Sequence, residues 1–198
     1  MPAAIAEVFD VVWRDLTDLH YLWNTYDFLY HSEFFVDLLN RTAPVFFSDH
    51  QSLLFESFVL GVGRILDRAA SRGQENYTLD LLRERIEATN QHCDLCGMLK
   101  EGRESLLAHS RSLLKLRHRL FGHRDGRLAR SIAKARSFKA ELHGVKELLE
   151  HIDEMMNAVA IAYRRNATFF CLIPADAAQQ LVSSLQSPNV PFAGLRPG

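Results

Sequence analysis

Proline and cysteine are scarce in this chain, and their scarcity already limits the fold. Only six of the 198 residues are proline, and none lies between positions 45 and 173. Proline is the strongest helix breaker, and apolar residues recur through this stretch at spacings of three and four. The three cysteines are too few for a disulfide framework, which fits a reducing compartment. The sequence therefore predicts a cytoplasmic, all-α protein, an antiparallel up-and-down bundle of four to five main helices.

Long apolar runs are also missing. The most apolar stretch, residues 58–63, is closed by Arg64, whereas a membrane helix needs about 20 such residues. The N-terminal residues lack a basic leader before an apolar core, so we expect neither a signal peptide nor a membrane partner. The late prolines divide the chain into a helical bundle over 1–173 and a short helix with a flexible tail over 174–198.

The pattern of apolar and capping residues predicts the individual helices. A first helix should run over roughly 4–40, and a second should start near Ser48, with Gln51 completing a capping box, and end at Gly73. Asn76 or Thr78 should cap a short third helix, followed by a loop over the segment NQHCDLCG. Further helices are expected over about 101–121 and 137–166 and, briefly, after Pro174.

Most motifs that hold phosphate, metal or a nucleophile are missing as well. The sequence has no glycine-rich phosphate loop, no Gly-x-Ser-x-Gly elbow and no helical His-Glu-x-x-His. Cys93 and Cys96 form one Cys-x-x-Cys, which supplies two of the four ligands that zinc requires, and no second pair follows. We therefore assign the cysteine pair an incidental or structural role and predict no cofactor and no metal.

Charge is distributed very unevenly along the chain. The net charge of the whole chain is -1, yet residues 1–63 hold nine acidic side chains and two basic ones, whereas residues 111–139 hold ten basic side chains and a single acid, Asp125. Such a block is typical of a surface that binds a polyanion. The alternative is a basic face that neutralises the acidic first third within the molecule or across a dimer.

The basic window, residues 111–139, contains the segment RHRLFGHRD, which starts at Arg117. Arginine offers a planar fork of donors to phosphate oxygens, and histidine exchanges protons near neutral pH. Cleavage of RNA requires little more, because the neighbouring ribose 2′-hydroxyl is a built-in nucleophile. A metal-dependent nuclease would need several carboxylates, which this segment lacks.

Helix geometry complicates this pairing. On an unbroken helix Arg117 and His123 would be separated by roughly 9 Å of rise and about 120°. Either the helix ends near Gly122 so that His123 folds back, or two chains combine their motifs across a two-fold axis. Arg119, four residues before His123, is the reserve candidate for the phosphate-binding arginine.

The segment RHRLFGH resembles the signature of HEPN domains, an arginine followed after four to six residues by a histidine. Together with the upstream segment RILDRAASRGQENYTLDLLRERI, the chain resembles AbiU-type abortive-infection HEPN proteins over about residues 1–170. The resemblance implies a dimeric helical bundle and a metal-independent endoribonuclease of toxin or antiphage type. By that match Arg117 and His123 are the catalytic pair, and His118 supports them.

The remaining site residues follow from charge and spacing. RNA would lie along the cations of the basic window, and we assign its binding to Arg119, Arg124, Arg127, Arg130 and Lys134. Arg64 and Asp67, at i,i+3 spacing, are interpreted as a structural ion pair or a brace for the dimer interface.

Two other interpretations stay open at this point. The same cleft could serve a non-catalytic module that holds RNA or an acidic protein such as an antitoxin. Alternatively, the chain is a purely structural dimerisation bundle, and the basic turn closed by Gly122 has no function.

Overall fold

The computed structural model of the protein describes residues 1–117 and 144–187, and these residues form eight α-helices and one short β-hairpin. In chain order the elements are α1 (Ala3–Tyr30), α2 (Glu33–Thr42), α3 (Pro44–Leu66), β1 (Ala70–Ser71), β2 (Gln74–Glu75), α4 (Leu79–Glu87), α5 (Cys93–His109), α6 (Arg111–Arg117), α7 (Val145–Ala162) and α8 (Asp176–Gln186), with a 3-10 turn at Phe170–Leu172. The predicted all-α bundle is confirmed. None of the described helices is long and apolar enough to cross a membrane.

One hydrophobic core joins α1, α3, α4, α5, α6 and α7. Helices α1 and α3 lie side by side at its centre, and Gly61 of α3 lies against Leu19 of α1: a Cβ atom at position 61 would be 2.6 Å from Leu19 Cδ2. Helix α6 packs on α3, and α7 packs on α1 and α5. The C-terminal end of α3 is thus in contact with α6. The last residue of α6 is also the last described residue before the gap at 118–143.

A second, smaller core holds the C-terminal helix α8. Ala178 and Val182 of α8 pack with Leu29, Leu39 and Phe47 at the junction of α1, α2 and α3. The short helix expected after Pro174 is therefore present. The boundary proposed at residue 173 remains a prediction, and the tail over 188–198 lies outside the described residues.

Several predicted boundaries were wrong. The first helix is interrupted at His31 and Ser32, where Ser32 adopts an extended conformation as the N-cap of α2. Helix α3 begins at Pro44, whose fixed φ suits the first helical position, so that Ser48 lies inside the helix and is not its cap. The same helix ends at Leu66, well before Gly73.

The other corrections concern the middle of the chain. A hairpin pairs Ala70 with Glu75 and Ser71 with Gln74 where the end of a helix was expected. The predicted loop at NQHCDLCG is helical from Cys93 onward. The described part of the helix expected over 101–121 belongs to two helices that are separated at Ser110, and residues 118–121 lie outside the described residues. Thr78 does cap α4, since its hydroxyl accepts the Leu81 N–H at 3.1 Å. The last long helix is confirmed over Val145–Ala162.

Candidate functional site

The described part of the chain contains three of the predicted site residues. Arg117 lies in α6, Arg64 lies in the last turn of α3, and Asp67 directly follows α3. The other predicted residues lie outside the described residues: His118, Arg119, His123, Arg124, Arg127, Arg130 and Lys134. Within the described residues, the candidate site therefore centres on Arg117.

Arg117 and Asp67 form a bidentate ion pair although 50 residues separate them in sequence. Nη1 donates to Oδ1 of Asp67 and Nη2 donates to Oδ2, each at 2.8 Å. The side chain of Arg117 is 27% exposed and that of Asp67 is 42% exposed. Two parallel hydrogen bonds fix both the position and the plane of the guanidinium group. The arginine thus lies at the surface in one defined orientation.

The end of the Arg117 side chain, from Cδ to the guanidinium group, lies against Gly63 in α3. A Cβ atom at position 63 would be 2.5 Å from Cδ of Arg117, 2.7 Å from Nη1 and 2.8 Å from Nε. Real Cβ contacts are ordinarily 3.4–4 Å, so only glycine leaves room for this side chain. Gly63 and Asp67, one turn apart, therefore form the seat in which Arg117 lies.

Arg117 keeps its positive charge. The hydrogen bonds that Arg117 donates to Asp67 raise the pKa of Arg117 above its ordinary value, an effect only partly opposed by burial. A guanidinium group carries five N–H donors, and Asp67 uses two of them. The other three donors have no acceptor among residues 1–117 and 144–187 and can bind one. Arginine has the geometry to hold a phosphate with such donors while its carboxylate partner keeps it in place.

Arg64 does not form the expected ion pair with Asp67. Because α3 ends at Leu66 and Asp67 is extended, with φ -61° and ψ 166°, the i,i+3 relation of a helix does not hold. Asp67 pairs with Arg117 instead. Arg64 is exposed, lines a groove of about 490 Å³ with Asp18 and Tyr21, and has no ion-pair partner among the described residues.

Two histidines that lie far apart in the sequence line a common cavity. His109 and His151, with Ser112 and Glu147, contribute to a space of about 310 Å³ between α5, α6 and α7. The Nδ1 atom of His109 is 2.8 Å from the Ser105 carbonyl oxygen, so this contact leaves Nε2 available. The cavity reaches Gly144, which is the first described residue after the gap at 118–143.

Cys93 and Cys96 lie in the first turn of α5, where Cys93 is exposed and Cys96 is half-buried. Burial raises the pKa of the Cys96 thiol, so the neutral form is favoured. Over the stretches 1–117 and 144–187 no group of three or more His, Cys, Asp or Glu side chains is arranged to hold a metal ion.

Sequence reasoning identified Arg117 but missed Gly63 and the partner of Arg117. A signal was present in the segment FVLGVGRILD, which places two glycines inside a long helix. Glycine costs a helix about 1 kcal/mol relative to alanine, so Gly61 and Gly63 indicate close approach of other groups. Both glycines are buried and both touch a side chain from another helix.

Comparison with known proteins supports the resemblance seen in the sequence. Residues 3–180 match the model of the HEPN family described as AbiU2. No curated protein and no solved structure gave a significant match. The match extends over most of the chain and includes the α3 segment, Asp67 and Arg117. The chain therefore belongs to the AbiU2 family of HEPN proteins.

Proposed function

We propose that the protein is a metal-independent endoribonuclease of the abortive-infection type. Arg117 binds the scissile phosphate, His123 transfers protons and His118 supports them. The observation that carries this proposal is the seat of Arg117, in which Gly63 and Asp67 hold a partly exposed, permanently charged guanidinium group. Asp67 takes two of its five N–H donors, and no other described residue accepts from the remaining three. Family membership and the basic window that includes Arg117 add to it.

The reaction requires no group beyond these side chains. His123 takes the proton of the 2′-hydroxyl as the 2′ oxygen forms a bond to phosphorus, and the bond from phosphorus to the 5′ oxygen breaks. The leaving 5′ oxygen receives a proton from the protonated His123 or from water, so the products end in a 2′,3′-cyclic phosphate and a 5′-hydroxyl. Arg117 stabilises the charge that builds on the non-bridging oxygens. Proton transfer and charge stabilisation are each worth about 100-fold or more in rate.

The protein acts as a homodimer in this proposal, with two motifs facing one cleft in the cytoplasm. The cations Arg119, Arg124, Arg127, Arg130 and Lys134 would hold flanking RNA phosphates. Asp67 serves within its own protomer, since it pairs with Arg117, whereas the exposed Arg64 is placed at the subunit interface. A basic cleft of this kind would also accept an acidic antitoxin as an inhibitor.

The direct test is cleavage of end-labelled RNA in the presence of EDTA. We expect the wild-type protein to cut RNA with the products named above, and Arg117→Ala and His123→Ala to lose at least 100-fold in rate. Arg41→Ala is the control, because Arg41 is an exposed arginine in the last turn of α2, outside the basic window. RNA binding without cleavage by the wild-type protein would instead favour a non-catalytic binding module.

A mixing experiment tests whether two chains share each site. If Arg117 of one protomer works with His123 of the other, a heterodimer of Arg117→Ala and His123→Ala contains one intact site, and mixing the two inactive variants restores part of the activity. If both residues act within one chain, each site of the heterodimer lacks one residue and the mixture stays inactive. Restored activity would also demonstrate the dimer.

A further inference from the structure

Three exposed arginines lie between residues 64 and 72, the stretch that also contains Asp67, the partner of Arg117. Arg64 lies in the last turn of α3, Arg68 directly follows Asp67, and Arg72 occupies the tip of the β-hairpin. All three side chains are exposed, and within the described ranges none forms an ion pair. Arg68 and Arg72 are separated from Asp67 by at most five residues, or roughly 17 Å of extended chain.

The nearby carboxylates are already engaged. Asp67 binds Arg117, Glu75 binds Arg85 at 2.6 Å, and Asp80 lies 3.2 Å from Arg83 and 3.3 Å from Arg103. The Arg117–Asp67 pair itself has no net charge. The positive potential at the hairpin therefore comes from Arg68 and Arg72, which have no ion-pair partner among the described residues and can attract an anion.

The hairpin holds its arginines in a defined place. Asn76 donates its backbone N–H to the Ala69 carbonyl at 2.8 Å, and its Nδ2 donates to the Arg68 carbonyl at 3.0 Å and to the Ser71 hydroxyl at 3.1 Å. These bonds cross the base of the hairpin. A phosphate contact made from this element would thus need less ordering on binding than one made from a free loop.

The tip of the hairpin contains an unusual residue for its conformation. Arg72 has φ 52° and Gly73 has φ 79°, so both central residues of the turn are left-handed. Turns of this type favour glycine, asparagine and aspartate, and an arginine there costs roughly 1 kcal/mol. Arginine gives the turn no conformational advantage at this position. A role of its side chain would account for its presence.

We propose that Arg68 and Arg72 bind backbone phosphates of RNA next to the phosphate held by Arg117. The inference rests on the proposed RNA substrate. The two arginines are positioning residues: they increase affinity and set the path of the strand, and they do not touch the reacting atoms. A cation at this hairpin suits a single strand that leaves the cleft past the end of α3.

The test measures RNA affinity at several salt concentrations by fluorescence anisotropy, with a single-stranded oligoribonucleotide that carries a 2′-deoxy substitution at the cleavage site to prevent turnover. The variants are Arg68→Ala and Arg72→Asn, and asparagine is chosen because it tolerates a positive φ and should maintain or raise the melting temperature. Arg41→Ala is the matched control. Arg41 is exposed in the last turn of α2, next to the start of α3, and the 23 residues of α3 place it about 34 Å from the hairpin end.

Each contact to a single strand contributes about 0.7 to the slope of log affinity against log salt, which is roughly fivefold in affinity at 0.1 M salt. We expect a roughly fivefold loss of RNA affinity for each single hairpin variant, a loss of about 25-fold for the double variant, and no loss for Arg41→Ala. In cleavage assays KM should rise while kcat at saturating RNA stays within about twofold. The inference is overturned if the double variant binds RNA with wild-type affinity and with the wild-type salt dependence. It is also overturned if the variants lose affinity for an acidic protein but not for RNA.

The outcomes separate this inference from the proposed function. If the wild-type protein binds RNA through the hairpin arginines but never cleaves it, the endoribonuclease proposal fails and the binding surface stands. If the wild-type protein cleaves RNA and the hairpin variants match it in both affinity and KM, the cleavage proposal stands and the binding surface fails.

Discussion

Replacing Gly63 by alanine tests the seat of Arg117 most directly. The new Cβ would lie 2.5 Å from Cδ of Arg117, whereas ordinary contacts begin at 3.4 Å. The side chain must therefore move by roughly 1 Å, or α6 must move away from α3. In either case the guanidinium group leaves the position in which Asp67 holds it.

Two opposing terms decide the effect on stability. Alanine is the better helix former by about 1 kcal/mol, whereas overpacking a filled site costs about 1–3 kcal/mol. We expect Gly63→Ala to lower the free energy of unfolding by about 0–2 kcal/mol. The effect on RNA cleavage should be much larger, about 100-fold, because a displacement of 1 Å at a reacting centre has consequences of that size.

Two other helical glycines provide controls for this substitution. Gly61 lies against Leu19 and not against Arg117, so Gly61→Ala should affect stability and leave cleavage within a few-fold of wild type. Gly97 in α5 is exposed, and a Cβ atom there would meet nothing within 4 Å, so Gly97→Ala should raise stability by up to about 1 kcal/mol. Denaturant unfolding and single-turnover cleavage measure both quantities. A Gly63→Ala protein that cleaves RNA at the wild-type rate and is as stabilised as Gly97→Ala would refute the proposed seat.

Three further predictions concern individual contacts. Asp67→Asn should change stability by only about 0–1 kcal/mol, because its ion pair with Arg117 is partly exposed, yet should slow RNA cleavage by tenfold or more; equal cleavage rates in the two proteins would contradict a positioning role. Thr78→Ala should lower the free energy of unfolding by about 1 kcal/mol through loss of the α4 cap, measured by urea denaturation, with Thr78→Ser retaining most of it. Burial lowers the pKa of His50 below 6.5, so the unfolded chain binds the proton more readily and wild-type stability should fall as the pH drops below 6.5. His50→Gln should weaken this dependence, which thermal melts at pH 7.5 and 5.5 would show; an identical dependence in both proteins would contradict it.

The sequence was sufficient for the fold class, and it proposed one residue, Arg117, of the described candidate site. Helical periodicity over the proline-free stretch predicts the all-α bundle, because burying one face of each helix is a local property of the pattern. Arg117 was found because its segment RHRLFGH carries a recognisable spacing. The cap of α4 was narrowed to Asn76 or Thr78 for the same reason, since a cap depends on residues only three positions apart, and the structure selects Thr78.

What the sequence did not predict depends on contacts between distant segments. Asp67 pairs with Arg117 across 50 residues, and no local rule relates those two positions. The break between α1 and α2 contains neither proline nor glycine, and the packing of Leu29 and Leu39 with α8 accompanies it. Helix ends are decided by such packing as much as by propensity, which is why the boundaries were less accurate than the elements.

The ion pair at the centre of the site imposes a division of roles among its arginines. Asp67 fixes the orientation of Arg117 but also cancels its charge, so Arg117 contributes position without a long-range field. Attraction of a polyanion must then come from cations without carboxylate partners. With Arg64 assigned to the subunit interface, these cations in the described part of the site are Arg68 and Arg72. Binding and catalysis should therefore respond separately. Loss of Arg117 should reduce kcat with little change in the salt dependence of RNA affinity, whereas loss of the hairpin arginines should change the salt dependence and leave kcat nearly unaltered.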